Sequence, residues 1–178
     1  MYWIVSSRLR NPNRLWVTDI TYIRTHRGWL FLALVIDLFS HQVVDWAMRS
    51  TQHTDVVLQA LLSAVRRRKL EPGLLLHSDQ GSQCTSAEWQ TFLQAHGVVC
   101  SMTSRGSCQD NAVAESFVPL PKRERIRRHA YPTHATARAD DFAHIEMFYN
   151  PKRRHGSNGG VSPVEFRGAL CAKRFLSV

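Results

Sequence analysis

The amino-acid sequence predicts an α/β domain in which a mixed sheet is flanked by helices. Three segments rich in β-branched and aromatic residues come first, and their short connections imply an antiparallel meander. Helical and strand patterns then alternate, which suggests helices that cross over between further strands of the same sheet. A length of 178 residues, 44% of them hydrophobic, suffices for one domain with a substantial core.

The three strands of the meander occupy the first part of the chain. The first is LWVTDITYI at Leu15–Ile23, and the turn HRG leads from it to the apolar run WLFLALVIDLF at Trp29–Phe39. Ser40 and His41 turn the chain again before the third strand, QVVDWAM, at Gln42–Met48.

Helices and strands alternate after the meander. The predicted elements are, in order, a helix from Thr54 to Lys69, a strand at Leu74–Asp79, a helix at Ser86–His96, a strand at Val98–Ser101 and a helix at Ala135–Asn150. The second of these, LLLHSD, is a continuous apolar run of the kind found in fully buried strands. We expect the last helix to end at Pro151, because proline cannot continue a helix without losing a hydrogen bond.

Composition favours an intracellular protein with a polyanionic partner. The net charge is +9 and the pI is about 10.0, which favours nucleic acid as a partner. The four cysteines show neither C-x-x-C nor zinc-finger spacing, which indicates reduced thiols. No apolar run is long enough to cross a bilayer, and the first residues do not resemble a signal peptide. We therefore expect a soluble cytoplasmic protein.

Asp19 is the first candidate for a chemical role, because it interrupts an apolar strand. Alternation places it on the face of Val17 and Ile23, where an ionised carboxylate is costly unless it is paired or bound to a metal. The alternative is that the opposite face, with Trp16 and Ile20, is the buried one. Taken alone, such an aspartate is more often structural than catalytic.

Asp79 and Glu115 are the other two candidates. Asp79 directly follows a predicted buried strand, where sites gather in sheets with helical crossovers, although an ordinary turn explains it equally well. Glu115 lies on a helix that Ser107 and Asp110 cap, and it shares a face with Asn111. Taken alone, Glu115 is best explained as a solvated acid near a helix N-terminus.

The three carboxylates together favour a metal site. An acid on a first strand, one after the next buried strand and one on a following helix can converge on one point. Such a site suits Mg²⁺ or Mn²⁺, and two ions about 3.5–4 Å apart can activate a hydroxyl and stabilise a leaving oxygen.

Four blocks of sequence carry a resemblance to a known family. WVTDITYI, VIDLFSHQVVDWAM, LLLHSDQGSQ and SCQDNAVAESF resemble the blocks of bacterial insertion-sequence transposases with a retroviral-integrase-type catalytic core. Between Asp79 and Glu115 lie 35 residues, the spacing of that family's D-D-E signature. The tail FYNPKRRHGSNGGVSPVEF is also similar. The resemblance spans roughly residues 13–166 and implies a ribonuclease-H-like fold, with Asp19, Asp79 and Glu115 as the metal ligands.

The resemblance also implies a reaction and its supporting residues. Metal-activated water cleaves a transposon end, and the freed 3′-hydroxyl attacks a second phosphodiester, with no covalent enzyme intermediate. Asn111, His77 and Gln80 are supporting candidates. The candidate DNA contacts are Lys122, Arg123, Arg125, Lys152, Arg153 and Arg154. We interpret the basic run Arg66–Lys69 as a solvated helix end instead. The family also implies a homo-oligomer on DNA.

Two features of the chain depart from the family pattern. We divide it into a linker stub (1–12), a catalytic core (13–150) and a basic glycine-rich tail (151–178), without the helix-turn-helix region of longer relatives. This predicts a truncated copy or a separately encoded partner. Pro119 and Pro121 predict that the helix of Glu115 kinks or ends near Phe117. The alternatives are a catalytically inactive DNA-binding remnant and a ribonuclease-H-like nuclease that does not join strands.

Overall fold

The structure, a computed structural model, describes residues 11–51, 54–68, 70, 72–78, 86–102 and 130–175. The strands are β1 (Leu15–Thr25), β2 (Gly28–Asp37), β3 (Gln42–Arg49), β4 (Leu74–Ser78) and β5 (Val98–Met102). The α-helices are α1 (Thr54–Arg67), α2 (Ala87–Ala95), α3 (His134–Phe142), α4 (Asn150–Lys152) and α5 (Pro163–Phe175). A π-helical segment (Ala143–Tyr149) joins α3 to α4, and a 3₁₀ turn (Gly156–Asn158) precedes α5.

The strands form a mixed sheet in the order β3-β2-β1-β4-β5. The first three pair antiparallel, while β4 is parallel to β1 and β5 is parallel to β4. The helices α1 and α2 provide the long connections that parallel neighbours need. The predicted meander and the helix–strand alternation are therefore confirmed, and β1 lies at the centre of the sheet.

The turn between β1 and β2 follows the prediction from HRG. Thr25 pairs with Gly28, and the hydroxyl of Thr25 donates to the carbonyl of Gly28 at 2.6 Å. The same hydroxyl oxygen accepts from the amide of Arg27 at 3.2 Å. Gly28 has φ +107°, a value that side chains disfavour, so glycine is the residue that suits the end of this tight turn.

Helices cover both faces of the sheet. On one face, Trp16, Ala33 and Val35 pack against α1 and α2 in a first core, with Trp89 fully buried. On the other face, a second core joins Ile23 and neighbouring residues of β2 and β3 to α3 and the π-helical segment. The sequence left open which face of β1 is buried, and the structure shows that both faces are buried from Leu15 to Thr18, whereas Tyr22 and Arg24 are exposed on the face of Trp16.

The last predicted helix does not end at Pro151. The backbone continues through Asn150–Lys152, and the amide of Arg153 donates to the carbonyl of Phe148 at 2.9 Å, five residues earlier. In an α-helix the ring of Pro151 would clash with the carbonyl of Met147, and a π-helical turn, which is wider, accounts for the continuation of the helix through the proline.

The predicted tail contains a helix that the sequence analysis missed. Ser162 precedes α5, and its amide and hydroxyl both donate to the carboxylate of Glu165 at 2.9 Å. The amide of Glu165 donates back to the hydroxyl of Ser162 at 3.3 Å, which completes a capping box. The signal was present as S-P-V-E, with Pro163 at the first helical position.

The basic end of α1 is less solvated than predicted. Arg68 is buried and donates to the side-chain oxygen of Gln42 at 2.7 Å, while Arg67 lies 2.9 Å from the carboxylate of Asp45. The solvated-end interpretation was therefore wrong for Arg68, because the end of α1 packs beside β3. In the part of the chain that the structure describes, no helix combines the length and apolar character needed to cross a membrane.

Candidate active site

Asp19 lies in the middle of the central strand. It is half-buried and sits opposite Leu34 of β2, a fully buried residue of the second core. Its face of β1 is that of Val17, Thr21 and Ile23, as strand alternation predicted. Asp19 is paired with β2, whereas the pairing of β1 with β4 ends at the preceding residue, Thr18.

The β1–β4 pairing brings a second candidate close to Asp19. Val17 pairs with His77, and Thr18 pairs with Ser78, the last residue of β4. His77 therefore shares a face with Val17 and Asp19, at roughly 8 Å from Asp19 between Cα atoms for ideal strand spacing. The residue is 8% exposed and also pairs with Ser101 of β5. Its burial between two strands restricts its approach to a bound phosphate.

Several predicted site residues lie outside the described residues. These are Asp79, Gln80, Asn111, Glu115, Lys122, Arg123 and Arg125, together with the prolines Pro119 and Pro121. Within the described ranges, the structure places no group of three or more His, Cys, Asp or Glu side chains suited to a metal ion. The three-carboxylate site, its supporting residues and the proline-broken helix therefore stay predictions.

The basic residues after Tyr149 differ from one another in their surroundings. Lys152 and Arg154 are exposed, whereas Arg153 is half-buried. The guanidinium of Arg153 lies 5.7 Å from the ring centroid of Tyr149 and 3.4 Å from a ring nitrogen of His155. Arg153 therefore packs against the fold, while Lys152 and Arg154 present their charges to solvent.

Sequence reasoning missed a buried polar contact that ties the segment after α3 to the edge strand β3. The side chain of Asn150 accepts a hydrogen bond from the amide of Val43 and donates one to the carbonyl of Val43, both at 3.0 Å. Asn150 therefore pairs with the backbone of β3 as a strand residue would. The asparagine stands in the quoted tail motif, but no local pattern indicates its distant partner.

A second buried contact joins the 3₁₀ turn to the β2–β3 turn. Asn158 donates to the carbonyl of Ser40 at 2.9 Å, and its side-chain oxygen lies 2.9 Å from Nδ1 of His41. Burial lowers the pKa of His41, a shift that Asn158 and the nearby Asp37 oppose. His155 stacks on His41 with ring centroids 5.6 Å apart. The 3₁₀ turn (Gly156–Asn158) is thus held against the turn between β2 and β3.

Asp37 lies at the base of the same turn. It accepts from the hydroxyl of Ser40 at 2.6 Å and from the amide of Asn13 at 3.3 Å. Burial nevertheless raises the pKa of this carboxyl, because desolvation outweighs these hydrogen bonds. Asp37 therefore fixes the turn and the entry into β1, and it lies at the opposite end of β2 from the turn at Gly28.

The order of the sheet and an acid on its central strand define a fold class. The chain superposes on the magnesium-bound catalytic core domain of HTLV-2 integrase with a TM-score of 0.63 at 16% identity, covering 90% of this chain and 99% of that one. The catalytic core domain of BIV integrase gives a TM-score of 0.57 at 17% identity, covering 92% and 99%. The fold is ribonuclease-H-like, as the sequence implied.

Sequence comparison gives the family. A family model described as an integrase core domain matches residues 10–108, and a second model of the same description matches residues 96–163. The chain belongs to the integrase core domain family.

Two curated relatives are similar over 155 residues, which is 87% of this chain. The transposase for insertion sequence element IS904 of Lactococcus lactis is 41% identical, and the transposase InsF for IS3A of Escherichia coli is 42% identical. The match spans 61% and 54% of the lengths of these two relatives.

Proposed function

We propose that this chain is the catalytic core of a bacterial insertion-sequence transposase. It cleaves phosphodiester bonds of DNA and transfers DNA strands in the cytoplasm. It belongs to the integrase core domain family, and two transposases match most of its length. The reaction is polynucleotidyl transfer in which a hydroxyl group displaces a DNA 3′-oxygen.

The register between β1 and β4 carries the proposal. Thr18 and Ser78 are paired neighbours, and the next residues in the sequence are Asp19 and Asp79. Thr18 and Ser78 are the last paired residues of the two strands. Consecutive Cα atoms are about 3.8 Å apart, so each aspartate is one residue away from this pair. Because Asp79 follows Ser78 directly in the sequence, we propose that Asp19 and Asp79 are the first two members of a metal-binding carboxylate set.

The donor set suits Mg²⁺ or Mn²⁺. Asp19, Asp79 and Glu115 offer carboxylate oxygens, the ligands that these hard cations prefer. Two bound ions would supply activation of the attacking hydroxyl and stabilisation of the leaving oxygen. Asp19 contributes a position on the central strand that its pairing with β2 holds, and Glu115 is the third ligand of this proposed set.

The remaining candidates support the metal ligands or bind DNA. His77 and Gln80 flank Asp79 in sequence and support the loop that contacts a phosphate, and Asn111 orients Glu115. The basic candidates for neutralising phosphates are Lys122, Arg123, Arg125, Lys152, Arg153 and Arg154, although Arg153 packs against Tyr149 and His155. Of those the structure describes, Lys152 and Arg154 are free to reach a backbone phosphate by virtue of their exposure. The core acts as a homo-oligomer on paired DNA ends.

The test is a cleavage and joining assay on the full chain. Supercoiled plasmid and a short duplex with a free 3′-hydroxyl are incubated with Mg²⁺ or Mn²⁺, and nicked and joined products are separated on gels. Asp19→Asn, Asp79→Asn and Glu115→Gln should each abolish both products. Asp55→Asn, which removes an exposed acid in the first turn of α1, is the matched control and should keep them.

Each outcome separates the proposal from its alternatives. Products that vanish in all three variants support the three-carboxylate site, and cleavage without joining favours a simple nuclease. Products that persist in the Asp19→Asn variant would contradict the three-carboxylate site. A folded wild-type chain that makes no product, alone or with an added end-recognition protein, would indicate an inactive remnant.

A further inference from the structure

An aromatic and arginine-rich surface lies at the end of the sheet near the β1–β2 turn. It consists of Tyr22, Arg24, Trp29, Phe31 and Arg49, with Arg27 in the turn itself, and we name it the hairpin patch. Tyr22 is 50% exposed and Trp29 is 55% exposed, and the three arginines are also exposed.

The strand register places these side chains on one face. Tyr22 pairs with Phe31, Arg24 pairs with Trp29, and Phe31 pairs on its other side with Arg49. Residues in register across a sheet share a face. Two residues further along β2, the same face carries Ala33, which packs in the first core under α1. The helix thus covers one half of this face and leaves the aromatic half exposed.

The patch combines rigid aromatic rings with positive charge. The rings of Tyr22 and Phe31 meet edge to face, with centroids 5.3 Å apart, so each ring is held by the other. The carboxylates of β1 to β3 lie elsewhere: Asp19 is on the opposite face, and Asp37 and Asp45 are buried. Even with the exposed Asp55 of α1 counted, the three arginines leave an excess of positive charge.

We propose that the hairpin patch binds single-stranded DNA, with unpaired bases stacked on Tyr22 and Trp29 and phosphates on the arginines. Exposed aromatic rings can stack on a base only where that base is not already stacked in a duplex, and arginines track the backbone beside them. Charge complementarity therefore selects a nucleic acid, and the aromatic rings select its unpaired form.

The patch is separate from the candidate active site, although the proposal rests on the proposed action on DNA. Tyr22 follows Asp19 by three residues, which is about 10 Å along a strand, and their side chains point to opposite faces of the sheet. In the part of the chain that the structure describes, the pairing of β1 with β4 ends at Thr18, and a bridge joins Thr25 to Tyr131. A strand that leaves the active site unpaired would cross β1 between these two points and meet the patch.

The test measures binding of DNA to the full chain without metal. Fluorescence anisotropy is recorded with a labelled oligothymidylate of about 20 nucleotides, which exceeds a typical single-strand site. A blunt duplex of equal length is measured in parallel. Trp29→Ala and Tyr22→Ala should each weaken single-strand binding roughly tenfold while changing duplex binding little. Phe142→Ala is the control, because Phe142 is an aromatic residue of α3 that is 52% exposed.

The arginines are tested through the dependence on salt. Each lost phosphate contact should reduce the slope of log affinity against log salt by about 0.7 for a single strand. Arg24→Gln and Arg27→Gln should each reduce it by that amount, while Arg66→Gln, which alters an exposed arginine at the far end of α1, should not.

Three results would overturn the proposal. One is single-strand affinity that Trp29→Ala and Tyr22→Ala leave unchanged, and another is an equal loss in Phe142→Ala. The third is a change in sedimentation of the patch variants with DNA binding intact, which would assign the patch to a protein interface. Asp19→Asn should keep single-strand binding. A variant that loses nicking but still binds single-stranded DNA therefore tests the proposed active site and not the hairpin patch.

Discussion

The clearest quantitative prediction concerns Asn150, which joins the end of the π-helical segment to the edge strand β3. Its side chain satisfies both backbone groups of Val43 at 3.0 Å, and both residues are buried. Asn150→Ala removes the donor and the acceptor together, while the strand that presents Val43 stays in place. The substitution therefore leaves two backbone groups without their partners.

The magnitude follows from those two groups. A buried donor or acceptor left unsatisfied costs about 1–3 kcal/mol, and water entering the space vacated by the amide offsets part of that cost. We expect Asn150→Ala to lower the free energy of unfolding by about 2–4 kcal/mol. For a chain of 178 residues, that corresponds to a decrease in Tm of roughly 5–15 °C.

The assay is urea denaturation followed by circular dichroism, with thermal melts alongside. Gln94→Ala is the matched control, because it removes an amide side chain that is exposed on α2, and it should change the free energy by less than about 0.5 kcal/mol. A loss in Asn150→Ala no larger than that of the control would refute the reasoning, since it would mean that the pairing with Val43 contributes nothing net.

Two further predictions concern burial. Because burial raises the pKa of Asp37 above its ordinary value of 3.8, the folded chain holds this proton more tightly than the unfolded chain, and stability decreases as pH rises through the folded pKa. Asp37→Asn cannot titrate, so wild type should lose stability relative to this variant between acid and neutral pH in denaturation curves; a constant difference would contradict the prediction. Trp89 is fully buried in the first core, so Trp89→Ala should cost about 3–5 kcal/mol in urea denaturation, more than Phe92→Ala at a half-buried position; equal losses would argue against this packing.

Local sequence patterns were sufficient for most of the secondary structure. The three segments rich in β-branched and aromatic residues became β1 to β3, and the helix predicted from Ser86 is α2, which Ser86 caps by accepting from the amide of Trp89 at 3.2 Å. These features depend on neighbours within a few residues, so they are legible in a single sequence. The S-x-x-E signal before α5 was equally legible and was overlooked. Asp19 was recognised because a carboxylate interrupting an apolar strand is conspicuous.

Contacts between distant parts of the chain were decided only by the tertiary structure. Asn150 and Val43 are 107 residues apart, and Asn158 and Ser40 are 118 apart, so no window of sequence contains both partners. The wide turn before Pro151 and the burial of Arg68 likewise depend on what packs beside them. The sequence by itself determined which residues can form strands, helices and a carboxylate set. The register of β1 with β4, which sets Asp19 beside the end of the next buried strand, required the folded sheet, because strand pairing depends on the packing of both faces at once.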